Sequence, residues 1–289
     1  MHPDYLAVAR MGVKGSFKTL QQLFARENPG YCFGYFEFEE SKQLECRQGT
    51  AFYWLEKGEV VLSLKGNWTR EDGHSIQGDS IDYVLNPGDV IVLTPALEGT
   101  LRGKGRFWSI TRSDAAVFPI AGLRRLSHLE DSSGGCNVSK DAFRRLQITW
   151  TEAVSESDPD GGNVLGCHVV WMPESSSRTH FHPDPAAGGG RSQHEMYLVL
   201  DPENYDLEVQ ASNPGVWTYP EAGNWDRFDF TPLQAGDVVA IPSGVCHRAI
   251  DILACVIAIP GFKPRNEIFV DPQIAVSSAG QSPHNPDFA

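Results

Sequence analysis

The 289-residue sequence predicts an all-β protein with two barrels of one kind in a single chain and a few short helices. Two observations carry that expectation. From Tyr31 onward the chain is a series of short apolar runs broken by Gly, Pro and charged turns, the texture of a sandwich or barrel. A stretch of the first half also recurs in the second. Gly49 to Gly58 stands in the place of Glu195 to Asp201, and Pro87 to Pro95 in that of Ala235 to Pro242. A repeat on this scale implies two copies of one supersecondary design. Composition agrees: 41% hydrophobic and 21% charged is ordinary for a globular chain with core enough for one large or two medium domains.

Taken in order, residues 1–30 read as an N-terminal helical cap. Phe17, Leu20, Leu23 and Phe24 have helical spacing, Ser16 is the candidate N-cap, and Asn28-Pro29-Gly30 is the stop. Residues 31–112 form the first barrel, with strands expected near 32–38, 50–55, 59–64, 81–85, 90–93 and 106–110. Residues 113–142, rich in Ser, Gly and Pro, read as the interdomain connection. Residues 143–262 form the second barrel, with strands near 143–150, 164–172, 195–200 and 250–259. A polar tail occupies 263–289. Inside the second barrel lies an aromatic-rich excursion with Trp217, Tyr219, Trp225, Phe228 and Phe230. It reads either as a packed surface loop or as a wall over a pocket.

The formal net charge of -13 argues against a nucleic-acid partner, since phosphate binding needs clustered Lys and Arg. The first ten residues show no basic region followed by an apolar run, and no stretch approaches the length of a membrane span. The expectation is an unexported, cytoplasmic protein with no membrane partner. Six cysteines (Cys32, Cys46, Cys136, Cys167, Cys246, Cys255) lack CxxC spacing, so neither a zinc knuckle nor a secreted disulfide framework is indicated. Cys246 reads as a small buried apolar residue.

The chemistry concentrates in Arg178-Thr179-His180-Phe181-His182, in His194-Glu195-Met196-Tyr197-Leu198-Val199-Leu200, and in Gly236 to His247. On a strand His180 and His182 project to one side with Phe181 turned away. Glu195 from a second strand and His247, after the Pro242-Ser243-Gly244 turn, can reach the same point. Three imidazoles and one carboxylate suit a divalent first-row metal, one ion per chain. His194 is the rival of Glu195, because adjacent strand residues face opposite sides. Arg178 shares the His180 face and is the candidate to clamp a substrate carboxylate. Arg191 flanks the ligands in sequence, and Arg248 points away from His247.

His-x-His, a Glu opening an aliphatic strand, and Gly-Asp-(four apolar)-Pro-x-Gly-x-x-His together resemble the two motifs of the cupin superfamily. The second motif fits closely. The first departs, with twelve residues between His182 and Glu195 where the family has a shorter gap. The resemblance implies a bicupin of two jelly-roll (double-stranded β-helix) barrels. It implies His180, His182, Glu195 and His247 as metal ligands, with Fe(II) favoured and Mn, Ni, Co or Zn as alternatives. In the first half the stretch around Glu45-Cys46-Arg47 replaces the His pair, Thr50 falls at the Glu195 position, and no His follows Pro95. That barrel is left a structural role, as a partner for the other barrel or for a second subunit in a homodimer. The function implied is a metal-dependent dioxygenase acting on a small polar or phenolic substrate, with Glu195 and Arg178 as its catalytic residues. The alternatives are a sugar or uronate isomerase or epimerase, and a non-enzymatic small-molecule-binding protein.

Overall fold

The computed structural model describes residues 6–10, 15–27, 30–70, 73–113, 121–125, 145–147, 166–172, 179–182, 194–205, 213–219, 228–259 and 268–269. Two compact units divide the chain, residues 21–129 and residues 1–20 with 130–289. The fold is all-β. Among the described residues the exceptions are one α-helix and a 3-10 turn at Pro202–Tyr205, and no helix is long and apolar enough to cross a membrane.

The chain opens with β1 (Ala7–Ala9) and then α1 (Ser16–Glu27). The expected cap segment thus begins with a strand. The first intrahelical bond runs from the Thr19 N–H to the Gly15 carbonyl, which makes Gly15 the cap position. Ser16 spends its hydroxyl on Arg10 instead, accepting from its N–H at 3.0 Å and donating to its carbonyl at 3.1 Å. Leu20 and Phe24, four apart on one face, are buried. The Phe24 ring meets those of Tyr31 and Phe33.

The unit of residues 21–129 is built from β2 (Tyr31–Leu44), β3 (Thr50–Thr69), β4 (Ser75–Leu85), β5 (Val90–Leu93), β6 (Leu97–Arg112) and β7 (Gly122–Arg124). They form one sheet in the order β2-β6-β3-β5-β7, with β4 paired to the far half of β3. The two strands expected at 50–55 and 59–64 are one, β3, which turns at a bulge between Leu55 and Lys57. Bulges bend and twist a strand, so a single long strand serves both halves of the roll. Gly58 (φ +137°) sits just past this bulge, where a Cβ would lie 2.2 Å from the Lys104 carbonyl oxygen. Only glycine tolerates both the backbone conformation and the approach. One core cluster gathers the near half (Ala51, Tyr53, Leu55) and the far half (Val60, Leu62, Leu64) of β3. Leu62, Leu64, Leu101 and Phe107 are wholly buried, each stabilising by about 1.5–3 kcal/mol relative to exposure. β7 falls inside the segment expected to be a connection; it is an edge strand, pairing with β5.

The second unit holds β8 (Arg145–Gln147), β9 (Gly166–Met172), β10 (His180–Phe181), β11 (His194–Leu200), β12 (Gly215–Tyr219), β13 (Asp229–Pro232), β14 (Val238–Ile241), β15 (Cys246–Ile250), β16 (Ile252–Ile259) and β17 (Ile268–Phe269). With β1 they form two sheets, β1-β14-β11-β16-β9-β8 and β13-β12-β15-β10-β17. The core lies between them: Tyr197, Val199, Val239, Val256 and Ala254 from the first meet Val216 and Ala249 from the second. β17 comes from the expected tail and pairs with β10. Trp217, Tyr219, Phe228 and Phe230 belong to or flank the β12–β13 pairing, and Trp225 lies outside the described residues.

The sequence repeat is a repeat of register. Ala51↔Leu93, Phe52↔Val92, Tyr53↔Ile91 and Trp54↔Val90 in the first unit match Glu195↔Ile241, Met196↔Ala240, Tyr197↔Val239 and Leu198↔Val238 in the second. The turns match as well. Gly88 and Gly236 donate to Leu55 and Val199 carbonyls, while Asp89 and Asp237 carboxylates accept from the Asn86 and Gln234 N–H groups. Each outer edge is then covered. β7 lies on β5, placing Arg125 3.9 Å from Asp89, and β1 lies on β14, placing Arg10 3.6 Å from Asp237. The alignment moves one residue from the sequence expectation: Ala51, not Thr50, stands at the Glu195 position, and Thr94, not Pro95, at that of Pro242.

Candidate metal centre

Four side chains from three strands and one strand end converge in the second unit. His180 on β10 pairs directly across from His247 on β15, so their rings meet at 4.4 Å between centroids. His182 lies two residues on and projects to the same side, its ring 5.2 Å from that of His180. Glu195 enters from β11. Its Oε2 is 2.9 Å from His247 Nε2 and 4.0 Å from His180 Nε2, and its Oε1 is 3.2 Å from His182 Nε2. All four residues are buried, and their donor atoms lie within 4.8 Å of one another.

Further hydrogen bonds hold the donors in place. The Val245 carbonyl can only accept, so the His247 Nδ1 at 2.8 Å carries a proton. That leaves Nε2 as the ring atom facing the cluster, 2.9 Å from Glu195 Oε2. The Tyr197 hydroxyl donates to Glu195 Oε2 at 3.2 Å. Burial alone would push the Glu195 carboxyl up, but His182 and His247, through charge and hydrogen bonding, outweigh it and hold the group well below the usual carboxylate range. Glu195 is therefore an anion at neutral pH.

This donor set fits a cation. Nitrogen and oxygen ligands about 2.0–2.2 Å from one metal stand about 3–4 Å from each other, the span seen between Glu195 and its three histidines. Four protein donors also leave positions open on a six-coordinate ion.

Strand alternation turns the two rival residues to opposite sides: Glu195 faces the cluster, and His194 faces away from it, where its Nδ1 accepts from the Ser243 N–H at 3.1 Å. Arg248 faces away from His247, its guanidinium 5.8 Å from the Trp217 ring. Trp217 is paired with Arg248 and Phe230, whereas Thr218 is paired with His247. Trp217 and Phe230 are thus turned away from the histidines and do not wall the site; Phe228 stacks on the same outer side against Trp217. Arg178 and Arg191 lie outside the described residues. Sequence reasoning passes over Tyr197 and Val245; the period of two along β11 places Tyr197 on the Glu195 face.

The equivalent place in the first unit is filled. Leu44 pairs with Gly99 as His180 pairs with His247, so the four ligand positions hold Leu44, Cys46, Ala51 and Gly99. A Cβ on Gly99 would touch Leu44 and Leu93 at 3.3–3.4 Å. Leu44, Ala51, Tyr53 and Leu93 belong to one apolar core cluster, with Cys46 packed against it.

No family model matches the sequence, and no curated protein matches it. Solved structures do resemble it. Vicilin from Corylus avellana (hazelnut) is 10% identical over 79% of this chain and 74% of its own, with a TM-score of 0.47. The Mn(II)-containing Bacillus subtilis oxalate decarboxylase is 10% identical over 87% and 71%, at 0.46. Lactobacillus farciminis oxalate decarboxylase is 12% identical over 86% and 80%, at 0.44. Likenesses at this level carry nothing about the chemistry of this chain, which rests on its own residues.

Proposed function

We propose that His180, His182, Glu195 and His247 bind one divalent first-row cation, Fe(II) in preference to Mn, Ni, Co or Zn. On this reading the protein is a metal-dependent oxygenase for a small polar or phenolic substrate that presents adjacent oxygens. The observation that carries the proposal is the buried convergence of three imidazoles on one ionised carboxylate. The motif resemblance to cupins points the same way. A bound metal would supply Lewis acidity and open positions for substrate oxygens.

The residues present do the rest. One carboxylate among four ligands leaves a divalent centre net positive, so an anionic enolate or carboxylate is drawn in despite the chain's net charge of -13; exposed charges are screened beyond about 8 Å at physiological salt. Burial keeps bulk water from competing for the donors. Glu195 is engaged by His182, His247 and Tyr197 at once, which disfavours its use as the mobile base an isomerase requires. Arg178 keeps the substrate-clamping role proposed for it from the sequence.

Anaerobic purification, metal analysis and O2-consumption screening with enolisable and phenolic compounds test this directly. The expected result is O2-dependent turnover, best with iron. Turnover at full rate under strict anaerobiosis, or best with Zn, Mn or Ni, would overturn the oxygenase reading.

A further inference from the structure

We infer that His194, on the reverse face of the strand that carries Glu195, is a positioning residue that locks the Pro242-Ser243-Gly244-Val245 turn and through it sets two of the metal ligands. This inference rests on the metal-centre reading above. The turn holds both His182 and His247. The Gly244 N–H donates to the His182 carbonyl at 2.7 Å, and the Ser243 hydroxyl donates to the same oxygen at 3.3 Å. The Val245 carbonyl orients the His247 ring through Nδ1 at 2.8 Å. The turn is fixed in its own right by the Val245 N–H to the Pro242 carbonyl at 3.2 Å. His194 joins it to β11: its buried Nδ1 accepts the Ser243 N–H at 3.1 Å. A backbone N–H can only donate, so Nδ1 is the acceptor in this contact.

Adjacent residues of one strand therefore divide the work. Glu195 gives its carboxylate to the centre from one face, and His194 ties the turn that aims His182 and His247 from the other. The first unit supplies an internal comparison. At the register counterparts of His194 and Ser243 stand Thr50 and Pro95, and proline has no N–H to donate. The donor end of the contact is missing in the repeat whose ligand positions hold Leu44, Cys46, Ala51 and Gly99. The chain keeps the bond where it keeps the donors.

The test is Co(II) titration of full-length, metal-stripped protein, read by the cobalt d–d absorption bands and by calorimetry. His194→Ala should bind Co(II) about 10–100-fold more weakly, the usual effect of losing a group that orients a metal ligand, with altered band positions and an unchanged apo circular dichroism spectrum. His194→Asn, whose amide oxygen hangs from Cγ as Nδ1 does, should restore most of the affinity and the wild-type spectrum. His194→Leu fills the space without an acceptor and should not. Should the alanine variant fail to fold, the Asn and Leu variants decide the matter between them. Wild-type affinity in His194→Ala or His194→Leu, with Co(II) binding abolished in Glu195→Ala, would overturn the positioning role and leave the metal centre standing. Equal weakness of the Asn and Leu variants would also overturn it, because the ring would then act by packing. Absence of Co(II) binding in the wild type would overturn the centre itself.

Discussion

Glu195 is a buried anion with three imidazoles around it, so its removal and that of a histidine differ in kind. Glu195→Ala deletes the sole carboxylate of the cluster and leaves buried rings facing one another. Metal affinity should fall by more than in His194→Ala, which keeps all four donors; calorimetry on both variants makes the comparison. The double variant His180→Ala with His182→Ala should lose its metal altogether while keeping the β-rich circular dichroism spectrum, because the core between the two sheets is apolar. A second, half-buried carboxylate behaves differently. Burial pushes the Glu56 carboxyl up, and the Arg106 guanidinium 2.9 Å away offsets this only in part. A folded-state value raised above the unfolded one means the native state binds more protons, so this contribution is present at acid pH and lost as pH rises through the raised value. Glu56→Gln, which mimics the protonated carboxyl, should therefore match wild type near pH 4 and be the more stable of the two at pH 7. Urea melts at the two pH values measure the difference.

Among the elements, β1 has an effect out of proportion to its three residues. It covers the outer edge of β14, next to the strand that bears Glu195, and brings Leu6 and Val8 into the core. Leu6→Ala should cost about 2–5 kcal/mol by removing a buried side chain. Deletion of residues 1–10 should cost more, and should also lower metal affinity, since an uncovered β14 loosens the β11 register; thermal melts and Co(II) titration check both. Strand β1 is also the element least visible in the sequence. Ala7-Val8-Ala9 has too little contrast to show alternation, and its partner stands at residues 238–240. By contrast His180, His182 and His247 are legible, because two-residue spacing and a Pro-x-Gly turn are local features. The bulge in β3 hides for a related reason: the stretch from Leu55 to Glu59 looks like a turn between two strands, and only pairing with β6 makes it one. Thr50 and Ala51 show the same limit. A register is set by the facing strand, and a slip of one residue swaps the faces.

At the level of the whole molecule, the two units share a design and differ in what fills it. Metal analysis of pure protein should give about one ion per chain, with none lost when Cys46 is changed to Ser, since Cys46 packs against an apolar cluster rather than a donor set. Two ions per chain would mean that the first unit binds metal through residues its packing argues against. The sharing of edges has a further consequence, for the order of events during synthesis. The strand pairing Val8 to Val239 joins an early segment to one synthesised long after it. At roughly 5–20 residues per second, residues 7–9 leave the ribosome some tens of seconds before their partner exists. Through that interval β1 has its hydrogen-bonding groups open to chaperones and to neighbouring chains, while the intervening unit, whose own edge strand β7 follows directly behind it, is free to fold. Closing this edge of the sheet then waits for residues 7–9 to pair with β14.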